Sequence, residues 1–110
     1  MTFLVGKQAP SIAAEAYVND EVKKIQLSDY KGKWVVLFFY PRDFTFICPT
    51  EIRGFALKED AFTKANAVII GASTDSEHSH KAWVERDLKE VKYPLLADTS
   101  HAISRYFHVL

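Results

Sequence analysis

The sequence predicts an α/β fold in a single domain over residues 1–110, with a central sheet flanked by helices. Two apolar runs without polar alternation, residues 34–40 and 67–72, have the composition of strands that are buried on both faces. Between them, apolar residues recur at helical spacing over residues 49–64. A strand, a helix and a strand in this order predict a right-handed parallel crossover, the unit from which α/β sheets are built.

Smaller elements are expected before the first apolar run. Residues 1–12 have the character of an irregular lead-in, after which Asn19 and Asp20 favour a tight turn between two short strands. Ser28 can cap one brief helical turn, and Gly32 can adopt the left-handed conformation that ends such a turn. We therefore expect a hairpin and a helical turn to precede the main strand.

The two central elements are the best strand and the long helix of the sequence. The run over residues 34–40 is rich in Val and Phe on both faces, which predicts a central strand covered by helices on each side. Residues 49–64 are predicted to form one long helix, because Ile52, Phe55 and Phe62 fall on one face. Together these two elements would form the core of the domain.

The C-terminal part continues the alternation of strands and helices. Asp75 or Ser76 is placed to cap a helix that ends near Lys89. Residues 94–97 then predict a third buried strand, and residues 100–107 predict a last helix.

Composition excludes several classes of partner. Lys and Arg total 14 and Asp and Glu total 14, so the formal charge is zero and no basic field would attract nucleic acid or an acidic membrane. Residues 1–7 lack a charged leader, and no apolar run approaches membrane-spanning length. The single cysteine permits no internal disulfide and fits a reducing compartment. We therefore expect a cytoplasmic protein without nucleic-acid or membrane partners.

The single cysteine lies between two prolines that mark structural boundaries. Pro41 cannot donate to a sheet ladder and so ends the first long strand, while Pro49 suits the first position of a helix. Cys48 would then be the N-cap residue, facing unpaired backbone N–H groups and the positive end of the helix dipole. Both favour thiolate over thiol, so the sequence predicts that Cys48 is a nucleophile.

The residues around Cys48 also carry a family resemblance. Pro41, Thr45 and Cys48 form the pattern P-x-x-x-T-x-x-C, within the longer string FYPRDFTFICPTEI. This string resembles the peroxidatic-cysteine loop of the peroxiredoxins, the alkyl hydroperoxide reductase and thiol-specific antioxidant family, and is closest to their typical two-cysteine branch. The resemblance implies a thioredoxin-like fold and covers the whole chain. Further similarities lie at residues 5–7, 9–10, 76, 80–83 and 104–106.

The resemblance implies a thiol-dependent peroxidase that reduces hydrogen peroxide or organic hydroperoxides. The Cys48 thiolate would become a sulfenic acid, and a thioredoxin-like or other dithiol reductant would regenerate it. Thr45 would hydrogen-bond the peroxide, Pro41 would limit water at the sulfur, and Glu51 would orient an active-site arginine. No cofactor and no metal are expected, and the family implies a homo-oligomer, either a dimer or a ring of dimers.

Several features of the family would fall after Leu110. They are the active-site arginine, the resolving cysteine, a closing hairpin and a final helix. We therefore expect the chain to be the N-terminal portion of a peroxiredoxin domain, truncated at its C-terminus, and none of its arginines is assigned the catalytic role. With one cysteine, an outside thiol would have to resolve the sulfenic acid of Cys48.

Plainer interpretations exist for the individual residues. A lone cysteine is commonly a small buried hydrophobe, although its position beside Pro49 and near Thr45 argues against this for Cys48. His78 and His80 lie close to acidic residues, but no second ligand cluster exists and a capped helix start explains both. Trp83, at helical spacing from His80, is expected to pack near the active site.

Two other functions compete with the peroxidase. A thioredoxin-type disulfide oxidoreductase would need a second cysteine at position 51, where Glu51 stands instead. A catalytically impaired peroxiredoxin-like scaffold or interaction module is the alternative that the absence of an assigned arginine leaves open. Peroxide consumption in the presence of a dithiol reductant separates this alternative from the enzyme.

Overall fold

The computed structural model describes residue 6 and residues 12–18, 21–40, 48–89 and 91–107; for residues 48–51 and 87 only the backbone is described. The strands in these ranges are β1 (Ala13–Val18), β2 (Glu21–Gln26), β3 (Trp34–Phe39), β4 (Ala67–Ser73) and β5 (Leu95–Ala97). The helices are α1 (Cys48–Leu57), α2 (Glu59–Lys64), α3 (Glu77–Asp87) and α4 (Ala102–Tyr106), with one 3-10 turn at Leu27–Tyr30.

The strands form one mixed sheet in the order β2-β1-β5-β4-β3. Strands β3, β4 and β5 are parallel, whereas β1 is antiparallel to both β5 and β2. The predicted α/β architecture is therefore confirmed. The hairpin is confirmed too, because Val18 pairs with Glu21 across the two turn residues, which themselves lie outside the described residues.

The predicted central position of the first long strand is wrong for the described part of the chain. Among the described strands, β3 pairs with β4 alone and lies at the edge of the sheet. Its apolar composition reflects burial of its two faces, since Phe38 packs against one core cluster while Leu37 and Phe39 pack against the other. An apolar run indicates that both faces of a strand are buried. It does not indicate whether both edges of that strand are hydrogen-bonded to neighbouring strands. Trp34, at the start of β3, is 76% exposed.

The single helix predicted over residues 49–64 is two helices. Lys58 separates them with a ψ of 8°, outside helical geometry, and its carbonyl oxygen accepts from the backbone N–H groups of Ala61 and Phe62. In an unbroken helix Phe55 and Phe62 would be about 10 Å apart along the axis. With the break, their ring centroids lie 6.1 Å apart, so the two aromatic rings are in contact across it.

The remaining helix termini differ in detail from the prediction. Ser76 is the N-cap of α3, as predicted, and its hydroxyl accepts from the Ser79 N–H at 3.1 Å. The 3-10 turn is capped by a reciprocal pair of Gln26 and Asp29, so the predicted cap by Ser28 is wrong. Gly32 ends that segment with a φ of 86°, in the left-handed conformation that was expected.

Two hydrophobic clusters cover the two faces of the sheet. Neighbouring residues alternate between them, with Ile69 and Leu95 in the first cluster and Ile70 and Leu96 in the second. The first cluster also contains Trp83 of α3, which is 1% exposed. No helix in the described part of the chain has the length and apolar character that crossing a membrane requires.

Candidate active site

The backbone places Cys48 at the beginning of α1. The helix starts at Cys48 itself, one residue before the predicted first position at Pro49, a difference within the usual scatter of helix boundaries. Glu51 lies in the first turn of the same helix. The backbone N–H groups of that turn have no partner within the helix and carry its positive dipole end. Pro41 and Thr45 lie outside the described residues, as do the side chains of Cys48 and Glu51.

The residues on either side of this segment are fixed to the same core cluster. Tyr40, the last described residue before Cys48, is 7% exposed, and its N–H donates to the Ala72 carbonyl at 3.0 Å. Ile52, in α1, is 1% exposed and belongs to the same cluster. The hydroxyl of Tyr93 donates to the Ile52 carbonyl at 2.8 Å. Tyr40 and Ile52, which precede and follow this segment, are therefore both anchored in the first core cluster.

A buried imidazole holds the side chain of Tyr40. His80, in α3, is 0% exposed; its Nδ1 lies 3.2 Å from the Tyr40 hydroxyl and its Nε2 lies 2.9 Å from the Leu96 carbonyl oxygen. A carbonyl can only accept, so Nε2 carries a proton and donates to Leu96. In the neutral imidazole Nδ1 is then the acceptor, and the Tyr40 hydroxyl is the donor.

Aromatic packing joins α1 to the sheet. The rings of Phe38 and Phe55 are stacked with centroids 4.7 Å apart, and the ring of Tyr93 meets Phe38 edge-on at 5.9 Å. The ring of Trp83 lies 5.7 Å from that of Tyr40. The predicted packing of Trp83 beside the site therefore agrees with its burial and with its contact to the residue that precedes Pro41.

The sequence did not identify Tyr40, Tyr93 and His80 as groups that support this segment. The helix-start explanation suits His78, whose side chain is 81% exposed, but it is wrong for His80, which faces the core. A signal was present, since His80 and Trp83 are three residues apart and therefore share one helix face. Among the described residues, no three His, Cys, Asp or Glu side chains gather as metal ligands would.

Comparison with known families decides the classification of the chain. A family model described as the AhpC/TSA family matches residues 5–110. The chain belongs to this family. The resemblance to the peroxiredoxins that the loop around Cys48 carries is thereby confirmed.

Curated relatives of this AhpC/TSA chain carry peroxiredoxin names. Peroxiredoxin prdx-2 of Caenorhabditis elegans is 50% identical over 111 residues, which cover 96% of this chain and 55% of the relative. The thioredoxin peroxidase of Echinococcus granulosus is 48% identical over 115 residues, covering 100% of this chain and 60% of the relative. The chain thus spans a little over half the length of these relatives.

Solved structures match the fold of the AhpC/TSA chain closely. The crystal structure of Enterococcus faecalis AhpC superposes with a TM-score of 0.95 at 33% identity, over 99% of this chain and 66% of that one. The reduced 2-Cys peroxiredoxin of Plasmodium vivax gives a TM-score of 0.93 at 39% identity, over 98% and 71% of the two chains. The thioredoxin-like fold that the resemblance implied is confirmed.

Proposed function

We propose that the protein is a thiol-dependent peroxidase that reduces hydrogen peroxide or organic hydroperoxides. The observation that carries the proposal is the position of its only cysteine, at the first residue of α1 in an AhpC/TSA chain. The partial positive charge of a helix N-terminus stabilises a thiolate there, and a thiolate is the form of cysteine that attacks peroxides. Relatives named peroxiredoxin and thioredoxin peroxidase support the same chemistry.

Peroxide reduction would proceed in two stages, oxidation of Cys48 by the peroxide and its regeneration by the reductant. The Cys48 thiolate attacks one peroxide oxygen, a sulfur–oxygen bond forms and the oxygen–oxygen bond breaks. The departing oxygen takes a proton and leaves as water or an alcohol, while the cysteine is oxidised to sulfenic acid. A thiolate of the reductant then displaces water from the sulfenic sulfur. Its second thiol resolves the mixed disulfide, so that Cys48 is reduced and the reductant is oxidised.

Three further residues are proposed to serve this step. Thr45 hydrogen-bonds the peroxide and holds the oxygen–oxygen bond in line with the sulfur. Pro41 covers the sulfur without adding an N–H donor that would compete with the substrate. Glu51 acts through a cationic group that it orients, because its own negative charge would oppose a thiolate.

We further propose the partners and compartment that suit such an enzyme. A thioredoxin-like or other dithiol protein is the reductant, because one of its thiols can attack the sulfenic acid and the other can resolve the mixed disulfide. The name thioredoxin peroxidase of a relative supports this choice. The proposed functional form is a homo-oligomer, and the proposed location is the cytoplasm, a reducing compartment in which a reactive thiol stays reduced.

Sulfenic-acid trapping tests the peroxidase directly. We expect stoichiometric peroxide to oxidise Cys48 to a species that a dimedone-type reagent captures, and Cys48→Ser to lose all labelling. At pH 7 a free thiol with a pKa of about 8.5 is roughly 3% ionised, so complete ionisation alone accelerates the reaction about 30-fold. A larger excess over free cysteine requires orientation of the peroxide by neighbouring groups. Labelling that persists in Cys48→Ser, or a wild-type rate equal to that of free cysteine, would refute the proposal.

A matched pair of substitutions tests Thr45. Thr45→Val keeps the shape of the side chain but removes the hydroxyl. We expect peroxide reduction to slow at least tenfold, because an orienting hydrogen bond of this kind contributes about 2–4 kcal/mol in the transition state. Thr45→Ser retains the hydroxyl and should keep most of the rate. Stopped-flow measurement of sulfenic acid formation gives both values, and equal rates for Val and wild type would remove Thr45 from the site.

A further inference from the structure

The hydrogen-bonded pair of Tyr40 and His80 lies where the chain leaves the sheet for the reactive segment. Tyr40 directly precedes Pro41, and Cys48 follows eight residues later. The backbone of Tyr40 is fixed by its N–H bond to the Ala72 carbonyl, and its side chain is fixed by the His80 imidazole. Position and orientation of the chain at this point are therefore both determined by the core.

The two hydrogen bonds that involve His80 run in the same direction. The Tyr40 hydroxyl donates to Nδ1 of His80, and Nε2–H of His80 donates to the carbonyl of Leu96 in β5. Both side chains are buried, at 7% and 0% exposure. A buried polar group without a hydrogen-bond partner raises the free energy of the folded state, so these bonds hold the ring of Tyr40 in one orientation.

The far end of the segment is held in a comparable way. The Tyr93 hydroxyl donates to the Ile52 carbonyl, and Ile52 lies in the same core cluster as Tyr40. Residues 41–51 thus connect two points that one rigid cluster fixes. In-line attack on a peroxide is sensitive to displacements of about 1 Å, so the positions of these two anchoring residues matter for the reaction of Cys48.

We propose that Tyr40 and His80 are positioning residues: their hydrogen bond fixes the core position from which the chain leads to Cys48, and so aligns the Cys48 thiolate with the peroxide oxygen–oxygen bond. The inference rests on the proposed peroxidase function and names residues that act through the segment and do not touch the substrate. Trp83 packs against the Tyr40 ring and limits the orientations available when the hydrogen bond is absent.

Tyr40→Phe tests the proposal with a minimal change. We expect the rate of peroxide reduction to fall about tenfold, while alkylation of Cys48 by iodoacetamide changes less than twofold. Alkylation follows the thiolate fraction and demands little orientation, so the ratio of the two rates reports positioning and is insensitive to stability. Tyr30→Phe is the matched control, since Tyr30 is a partly buried tyrosine that packs against the second cluster, on the opposite face of the sheet. Its rate ratio should equal that of wild type.

Two substitutions of His80 keep the proposal testable if Tyr40→Phe does not fold. The oxygen of an asparagine side chain overlies Nδ1 of a histidine, so His80→Asn retains an acceptor for the Tyr40 hydroxyl. The nitrogen of a glutamine side chain overlies Nε2, so His80→Gln retains the donor to Leu96 but loses that acceptor. We expect His80→Asn to keep a rate ratio close to wild type and His80→Gln to lower it about tenfold.

The outcomes separate this inference from the function on which it rests. If wild type reacts with peroxide no faster than free cysteine, the peroxidase itself is wrong. If wild type reacts rapidly but Tyr40→Phe retains its rate ratio, the positioning role is wrong and the peroxidase stands. Equal ratios for His80→Asn and His80→Gln would likewise overturn the role of the hydrogen bond.

Discussion

Replacing Asp98 by alanine is expected to destabilise the protein by about 3 kcal/mol or more. Asp98 follows β5 and is 2% exposed. Its Oδ1 accepts from the Ile103 N–H at 3.0 Å, and its Oδ2 accepts from the Ser104 N–H at 2.8 Å and from the Ser104 hydroxyl at 2.6 Å. Alanine would leave these buried donors of α4 without an acceptor, and hydrogen bonds to a charged group contribute about 1.5–3 kcal/mol each.

Thermal unfolding provides the measurement. The loss corresponds to a Tm lower by about 15 °C for a domain of this size. The control is Asp29→Ala, because Asp29 also accepts a backbone N–H, that of Gln26 at 3.2 Å, but does so in an exposed position. Water replaces that bond, so its loss should cost less than about 1 kcal/mol. If both variants had the same Tm, the carboxylate of Asp98 would not be what secures α4 to the sheet.

The elements of the fold could be predicted because their signals are local. The hairpin follows from turn residues, the parallel unit follows from two apolar runs with a helical pattern between them, and α3 follows from the cap at Ser76. The edge position of β3 could not be predicted in this way, because strand order depends on pairing between distant parts of the chain. The break at Lys58 was missed because the helical spacing of Ile52, Phe55 and Phe62 fits a continuous helix and does not mark where a helix ends.

In the candidate site, too, residues with a local sequence signal could be predicted and residues that depend on long-range contacts could not. Cys48 could be located from two flanking prolines and from the spacing of Thr45, and the backbone agrees with a helix that begins there. The groups that support the segment could not be located. The bond between Tyr40 and His80 joins residues 40 positions apart, and the bond between Tyr93 and Ile52 joins residues 41 apart. Neither pair has a sequence motif that links its members.

A side chain at position 71 is expected to lower both the stability of the protein and its proposed peroxidase activity. Gly71 lies in β4 between Phe38 of β3 and Leu95 of β5, and a Cβ there would come within 2.8 Å of Phe38 Cζ and 2.9 Å of Leu95 Cδ2. The Phe38 ring cannot move freely, because it is stacked on Phe55 of α1. We expect Gly71→Ala to cost about 1–3 kcal/mol, and Gly71→Val to cost more, as overpacked cores do.

The effect on activity follows from the same contact. A displaced Phe38 would shift Phe55, on which it is stacked, and with it the helix that begins at Cys48. The rate of peroxide reduction should therefore fall in Gly71→Ala even where the protein remains folded. Gly54→Ala is the control with the opposite sign. No described atom lies within 4 Å of a Cβ at position 54, which is inside α1, so alanine should stabilise the helix by about 0.5–1 kcal/mol. Equal stability changes at the two positions would show that the space beside Gly71 is not limiting.

The two tryptophans give the protein an optical readout of its own core. Trp34 is 76% exposed and Trp83 is 1% exposed, so their emission differs in wavelength and in access to an aqueous quencher. Trp34→Phe would leave a single tryptophan, Trp83, whose ring lies 5.7 Å from the ring of Tyr40. Its blue-shifted emission would report the polarity beside Tyr40 and His80. A stopped-flow trace after addition of peroxide would record any change in that emission on the timescale of Cys48 oxidation, without an external label.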